Sequence, residues 1–331
     1  MKKIINEPSN FVEESIQGLI KSHPDVYAFA KDNKRVITRA KKASNKVGVV
    51  SGGGSGHLPV FTGYVGKGIL DACAVGSVFA SPSVDQIASA IRNGDNGNGV
   101  LCILGNYGGD VMNFEMACEI VASEGIKTKT IIVADDIASA KNEEKLKRRG
   151  IAGMIFVFKI AGAAAEANLS MDEVFKIAAD ANNNIRTLGV AVSPCTLPEA
   201  GKPTFELSND EIEIGMGIHG EPGIKREKLR KADLLVDDLC KIILDDFKLS
   251  DKDKVTIMIN SLGATPLEEL YIVSKRVHEN FSKLNIEIIK TYVGRYATSM
   301  EMAGMSITVL KLDDNLKKML FSQNECPFWI N

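Results

Sequence analysis

Along the first half of the chain, short runs of apolar residues alternate with longer stretches where apolar residues return every three or four positions. The runs read as buried strands and the periodic stretches as helices laid over them. Strand runs fall at 46–50, 72–76, 100–104 and 129–133. Helical spacing groups Phe11, Val12, Ile16, Leu19 and Ile20 behind Asn10, a candidate cap. A second helix follows Ser81-Pro82-Ser83 with Val84, Ile87, Ala88 and Ile91 on one face, the proline suiting a first turn. A third turns Val111, Phe114, Ala117, Cys118 and Val121 inward. The apolar segment 151–165 reads as helical in its alanine-rich second half, and 171–183 as a further helix. Strand, loop and helix in alternation, without internal repeats, predict an α/β fold around a largely parallel sheet.

Beyond Asn182-Asn183-Asn184 the pattern changes. A strand at 189–192 leads into a stretch with Pro194, Pro198 and Pro203. Segments 204–207 and 211–214 alternate apolar and polar residues about Ser208-Asn209-Asp210, which predicts a hairpin. An amphipathic helix with Leu229, Leu235, Leu239, Ile242 and Ile243 follows, then a strand at 255–259, a helix from Pro266 through Val277, and strands at 286–293 and 306–312. The expectation is two domains: an N-terminal α/β domain at 1–185 and a smaller α+β domain at 186–331.

Composition narrows the class. The 331 residues are 45% hydrophobic and 25% charged, with 40 basic against 42 acidic side chains. A net charge of -2 argues against nucleic acid or an anionic membrane as the main partner. No apolar run approaches the roughly 18 residues of a membrane span. Met1-Lys2-Lys3-Ile4-Ile5-Asn6-Glu7-Pro8 lacks the apolar core of a signal peptide. The cysteines Cys73, Cys102, Cys118, Cys195, Cys240 and Cys326 are scattered, with no C-x-x-C pair. A reduced, cytoplasmic, metal-free chain is expected.

Candidate chemistry sits in three glycine-rich segments that follow strands: Gly52-Gly53-Gly54-Ser55-Gly56-His57, Gly105-Asn106-Tyr107-Gly108-Gly109-Asp110 and Gly215-Met216-Gly217-Ile218-His219-Gly220-Glu221-Pro222-Gly223. The carboxyl ends of strands are where open α/β sheets bind ligands, and glycine lets a ligand approach the backbone. The first segment lacks the Lys-Ser/Thr ending of a phosphate-binding loop, and His57 takes the place of the last glycine of G-x-G-x-x-G. His57 reads either as a structural hydrogen-bonding residue or as a catalyst, and Asp110 either as a helix cap or as a working carboxylate. His219 points to function, because no helix or strand needs an imidazole between Gly217 and Gly220. His23 and His278 fall on amphipathic helices among charged residues and read as solvated. Asp135-Asp136 reads as an acidic loop end in preference to a metal site.

Several motifs resemble one family. Ser51-Gly52-Gly53-Gly54-Ser55-Gly56-His57, Asn106-Tyr107-Gly108-Gly109-Asp110-Val111-Met112-Asn113-Phe114-Glu115 and Gly217-Ile218-His219-Gly220-Glu221-Pro222-Gly223 are similar to segments of the substrate-binding subunit of dihydroxyacetone kinases. So are Arg148-Arg149-Gly150-Ile151-Ala152-Gly153, Ala200-Gly201-Lys202-Pro203 and Leu262-Gly263-Ala264-Thr265-Pro266, in order, over nearly the whole chain. The resemblance implies a two-domain homodimer. It implies that His219 adds to a ketone carbonyl and holds dihydroxyacetone, or a similar short ketose, as a hemiaminal. His57 and Asp110 would contact its hydroxyls and assist proton removal, while Gly54, Ser55, Gly56 and Gly105 lie against it. Covalent capture suits a ketose with few handles and rejects alcohols such as glycerol.

The resemblance also implies a separate nucleotide-binding kinase subunit that carries ATP or ADP with Mg²⁺, leaving no cofactor on this chain. In the variant fed by the phosphotransferase system, that subunit holds ADP and is recharged by a phosphocarrier protein. Two positions depart from the triose kinases: Leu58 stands in place of their glutamate and Gly105 in place of their lysine. Losing both charges near one pocket leaves room for a tetrulose. The alternative is a noncatalytic ketose-sensing paralogue that acts as a transcriptional co-activator.

Overall fold

The computed structural model describes residues 2–330. Helix α1 (Phe11–Ser22) precedes a six-stranded sheet of β1 (Tyr27–Phe29), β2 (Val36–Arg39), β3 (Lys46–Ser55), β4 (Ala72–Val78), β5 (Gly97–Gly105) and β6 (Thr128–Val133). The strand order is β1-β2-β4-β3-β5-β6. Strands β4, β3, β5 and β6 pair in parallel, and β1 and β2 add an antiparallel edge. The parallel centre is the one the apolar runs predict. The edge strands carry only three and four residues, too few for a period to show.

Alternating side chains of this sheet face two different layers. Val50, Ala74, Cys102 and Leu104 meet α2 (Val84–Gly94) and α3 (Gly108–Ser123). Val49, Val75, Leu101 and Ile103 meet α4 (Met154–Glu166) and α5 (Met171–Asn183).

A second sheet contains β7 (Ile185–Ser193), β8 (Glu211–Ile214), β9 (Lys225–Lys228), β10 (Lys254–Ser261), β11 (Glu287–Gly294) and β12 (Ala303–Leu312) in the order β11-β10-β12-β7-β8-β9. It is antiparallel except between β10 and β11. Helices α6 (Ala232–Phe247) and α7 (Leu267–Ser282) pack on one face. On the other, Met258, Tyr292, Leu310 and Leu312 join α4, α8 (Asp314–Leu320) and Trp329 in the core of the first half. Helix α4 thus lies between two apolar surfaces, and every residue from Met154 to Ala165 is buried. Among the described residues no helix is long and apolar enough to cross a membrane.

Several expectations change. Helix α4 begins at Met154 and not in the alanine-rich half, because a helix buried all round has no polar stripe to mark its start. The hairpin is β8 with β9; residues 204–207 form no strand, and the loop between β8 and β9 carries His219. Gly52, Gly53 and Gly54 are not the turn after β3 but part of it, paired in part with β4. Their missing side chains admit close neighbours: a Cβ on Gly53 would lie 2.2 Å from the Phe61 ring. The turn starts at Gly56, where φ is 101°. Pro82 precedes the cap of α2, which is Ser83 in a reciprocal capping box with Gln86. Asn10 makes no capping bond, since a 3-10 turn over Pro8–Asn10 feeds α1. Leu229 lies before α6 and is exposed, and α7 runs on to Ser282. The His23 ring is not free in solvent but packs edge-on against Tyr27 and Phe328.

Helix α4 yields a stability prediction. Glycine inside a helix ordinarily costs about 1 kcal/mol against alanine. At Gly162, however, a Cβ would meet the backbone of Ile69 at 2.2–2.5 Å. Overpacking of about 1–3 kcal/mol then outweighs the propensity gain. Gly162→Ala should lower the urea midpoint of unfolding; a raised midpoint would show that α4 is not seated this close.

Candidate functional site

The site forms where the carboxyl ends of β3 and β5 meet the β8–β9 loop and the turn between β11 and β12. Met300 N–H donates to the Gly56 carbonyl (2.7 Å), and Thr298 Oγ1 donates to the Leu58 carbonyl (3.0 Å). His57 is 1% exposed and its Nδ1 lies 2.7 Å from the Thr298 carbonyl. A carbonyl only accepts, so Nδ1 carries the hydrogen. Burial, then the neighbouring His219, push the His57 pKa down to about 3. The ring is therefore neutral near pH 7, and Nε2 keeps a bare lone pair with no partner among the described residues.

The loop bearing His219 is fixed from several sides. Gly217 N–H donates to the Glu221 carbonyl (3.0 Å), Gly223 N–H donates to Glu213 (2.7 Å), and the Ser299 hydroxyl bonds the Ile218 carbonyl. Glu221 accepts twice from His219, from the backbone N–H and from ring Nδ1, both at 2.9 Å. Burial raises the Glu221 carboxyl, but these hydrogen bonds and the electrostatic pull of the His219 ring outweigh it and hold the pKa at about 2. An ionised carboxylate only accepts, so Nδ1 of His219 carries a hydrogen as well, and Nε2 is the free end of the ring. Arg149 pairs with Asp136 at 2.7 Å and reaches Glu221 at 4.0 Å. A Cβ on Gly217 would meet Glu221 Oε2 at 2.1 Å, so glycine there leaves the carboxylate free to hold His219 in this position.

The two imidazoles meet edge to face, with ring centroids 4.8 Å apart. Phe79 stacks flat on His57 at 4.7 Å and turns an edge to His219 at 5.3 Å. It does so from a strained backbone with φ of 57°. Tyr107 closes the far side of His219 at 4.9 Å. Its hydroxyl is buried without a partner among the described residues, and burial together with Glu221 pushes its pKa well up.

Asp110 is not the cap of α3. Tyr107 holds the cap position, and Asp110 lies in the first helical turn, 7% exposed, with Oδ1 unpaired among the described residues. Burial raises its pKa, opposed by a hydrogen bond from Ser81 and by His219. His57, His219 and Asp110 thus form one electrostatically coupled group with two acceptor atoms unsatisfied.

The remaining candidates divide. Gly105 belongs to this group: a Cβ there would sit 3.1 Å from the Tyr107 ring. Gly54 at the end of β3 and Gly56 in the turn after it back the site, whereas the Ser55 hydroxyl is already committed to the Gly76 carbonyl at 2.8 Å. Leu58 lines a mostly apolar cleft of about 520 Å³ that Gly54, Ser55, Gly56 and His57 also line, with Phe11, Ile16, Phe61 and Arg295 on its outer walls. Gly105 and His219 are not among its lining residues; they stand on the other side of His57. Asp135 and Asp136 are buried braces: Asp135 accepts from Ile151 and Gly153 N–H at 2.7 Å ahead of α4, and Asp136 holds Arg149. Among the described residues no three His, Cys, Asp or Glu side chains gather as a metal site. His278 bonds Thr291 far from this group. Phe79 and Thr298 carried no sequence signal, and Arg149 carried one only as part of the Arg148–Gly153 motif. Glu221 did, two positions after an imidazole in a glycine loop.

The Dak1 domain model matches residues 17–328. The dihydroxyacetone-binding subunit of the PTS-dependent dihydroxyacetone kinase 1 of Listeria innocua is 49% identical over 314 residues, 95% of each chain. The L-erythrulose kinase of Pectobacterium atrosepticum is 39% identical over 99% of this chain and 56% of its own length. Among solved structures, the dihydroxyacetone kinase from C. freundii in complex with AMP-PNP and Mg²⁺ superposes with a TM-score of 0.89 at 33% identity, covering 99% of this chain and 60% of that one. A dihydroxyacetone kinase operon co-activator superposes at 0.88 with 31% identity over 96% and 97%. With a family model spanning nearly all of it and a relative this similar over almost its full length, the chain belongs to the Dak1 domain family.

Proposed function

We propose that this chain is the ketose-binding subunit of a dihydroxyacetone kinase of the phosphotransferase-dependent kind, holding its substrate covalently on His219. The observation that carries the reading is the Nδ1–Glu221 hydrogen bond, which leaves Nε2 of His219 as a lone pair beside two unsatisfied acceptors. Nε2 attacks the ketone carbon, the new C–N bond forms, and the carbonyl π pair moves to oxygen, which takes a proton from solvent. The ring becomes positively charged, and Glu221 provides the countercharge. His57 Nε2 and Asp110 Oδ1 each accept from a ketose hydroxyl. During phosphoryl transfer Asp110 takes the proton of the attacking hydroxyl, a contribution typically worth about 10²–10⁴ in rate. Gly54, Ser55, Gly56 and Gly105 form the walls, Ser55 through its backbone.

In this reading ATP or ADP with Mg²⁺ belongs to a nucleotide-binding partner subunit, as the AMP-PNP complex of the longer C. freundii kinase suggests. The chain is cytoplasmic and homodimeric, with topological units at 1–185 and 186–331. Tetruloses join dihydroxyacetone as substrates because Gly105 removes a side chain next to Tyr107; the name of the Pectobacterium relative supports this. The co-activator likeness keeps a sensor as the competing reading. A sensor needs only capture at His219, however, and a buried carboxylate with one oxygen unpaired at Asp110 is what transfer adds.

Intact-mass measurement after mild trapping with dihydroxyacetone should reveal a one-ketose adduct that His219→Ala lacks; an adduct surviving in the variant refutes the assignment. Asp110→Asn should leave the adduct and lower phosphoryl transfer, measured with a supporting donor subunit, by about 10²–10⁴. The pH profile gives the sign. A base with a raised pKa is lost as pH falls through a value above the ordinary carboxylate range, so turnover should drop there in the parent protein. His57, neutral down to about 3, should add no limb of its own. Finally, Gly105→Lys should shift the turnover ratio toward dihydroxyacetone and away from erythrulose. An unchanged ratio would remove Gly105 from substrate choice.

A further inference from the structure

We propose that the solvent face of α3, from Gly108 to Ile120, is the docking surface for the nucleotide-bearing donor subunit. The inference rests on the proposed function and deepens it.

Met112, Met116 and Ile120 are 57%, 48% and 38% exposed. They recur every fourth residue and form one stripe about 12 Å long. The opposite side of α3 buries Phe114, Ala117 and Val121 in the core. A helix lying on a sheet ordinarily turns polar residues to water. Its neighbour α2 does so, exposing Asp85 and Arg92. Helix α3 instead sets three apolar residues in a row on its solvent side, beside Glu115 and Glu119. Leu146, 82% exposed, stands on the other flank of the loop that enters α3, tied there by Asn106 Nδ2, which donates to its carbonyl at 2.8 Å. Gly108, the first residue of the helix, is exposed, and a Cβ there would meet nothing within 4 Å. Neither crowding nor backbone angle calls for glycine at that point, yet glycine weakens a helix. What it leaves is bare backbone at the end of the stripe nearest Asp110.

Position selects the occupant. Asp110 is in the first turn of α3, so a phosphoryl group that reaches a hydroxyl beside it arrives past this helix end. The stripe begins two residues later. A second copy of the chain seated on Met112 would cover the same approach and shut the donor out. In the L-erythrulose kinase and the C. freundii kinase, this chain matches only 56% and 60% of the length. Further chain that is covalently attached there corresponds, in the proposed reading, to a separate subunit that must bind and leave in each cycle. A short apolar stripe fits such a transient contact, at the small end of specific interfaces. Glu115 and Glu119 flank the stripe, are exposed, and form no ion pair among the described residues. The docking face of the donor is therefore apolar with basic side chains along its edge.

The test is the triple variant Met112→Glu/Met116→Glu/Ile120→Glu, full length, assayed with a donor subunit that supports turnover of the parent protein. The variant should form the dihydroxyacetone adduct at His219 as the parent does. Its KM for the donor subunit should rise at least tenfold, with kcat at saturating donor close to the parent value. An unchanged KM with the adduct intact overturns the docking surface and leaves the proposed function standing. A change in the oligomeric state of the variant by sedimentation overturns it in favour of an interface between copies. Loss of the adduct in the variant alone assigns the stripe to ketose binding and also overturns it. Absence of the adduct in the parent is the separate failure of the proposed function.

Discussion

One buried hydrogen bond ties the site to the fold: His57 Nδ1–H to the carbonyl of Thr298. The histidine follows a strand of the first sheet, and the carbonyl belongs to a turn of the second. The bond sets which nitrogen of His57 is bare, and it aligns the glycine turn with the segment that holds the His219 loop through Ser299. Glu221 repeats the device on His219. Two rings in contact thus have both protons assigned by acceptors that cannot donate. Were either acceptor missing, its ring could carry the proton on either nitrogen, and that Nε2 would no longer be dependably free.

Burial then separates groups that are alike in water. A carboxylate with an unpaired oxygen, Asp110, rises, while a carboxylate that accepts two hydrogen bonds, Glu221, falls to about 2 in spite of burial. The first holds a proton more readily than a carboxylate in water, and the second is a fixed charge. His57 loses basicity and stays a neutral acceptor. Three ionisable side chains within one small group acquire three distinct characters from their surroundings.

The residues that could be read from the chain were those with local reasons to be unusual. An imidazole among glycines at His219, and glycine loops after apolar runs at His57 and Asp110, stood out because strand and helix physics did not ask for them. The parallel order of the first sheet followed from helices between short apolar runs. What escaped the sequence was long-range. Thr298 matters through a backbone carbonyl that any residue supplies, and Phe79 matters through a ring aimed from an unusual φ. The start of α4 was hidden because apolar surroundings on every side erase periodicity. The β8–β9 hairpin was misplaced because β9, Lys225–Lys228, is a polar edge strand with no alternation to detect.

Helix α4 also bears on how the molecule holds together. The chain changes sheets at β7, a natural place to imagine a cut. Yet Phe156 on α4 contacts Tyr292 of β11 and Trp329 near the chain end, and Lys159 donates to the carbonyl of Met319 in α8. Two sheets wound separately share one greasy axle. Opening a gap between them would strip that axle on one side and expose its apolar surface to water, so the halves rise and fall in stability together.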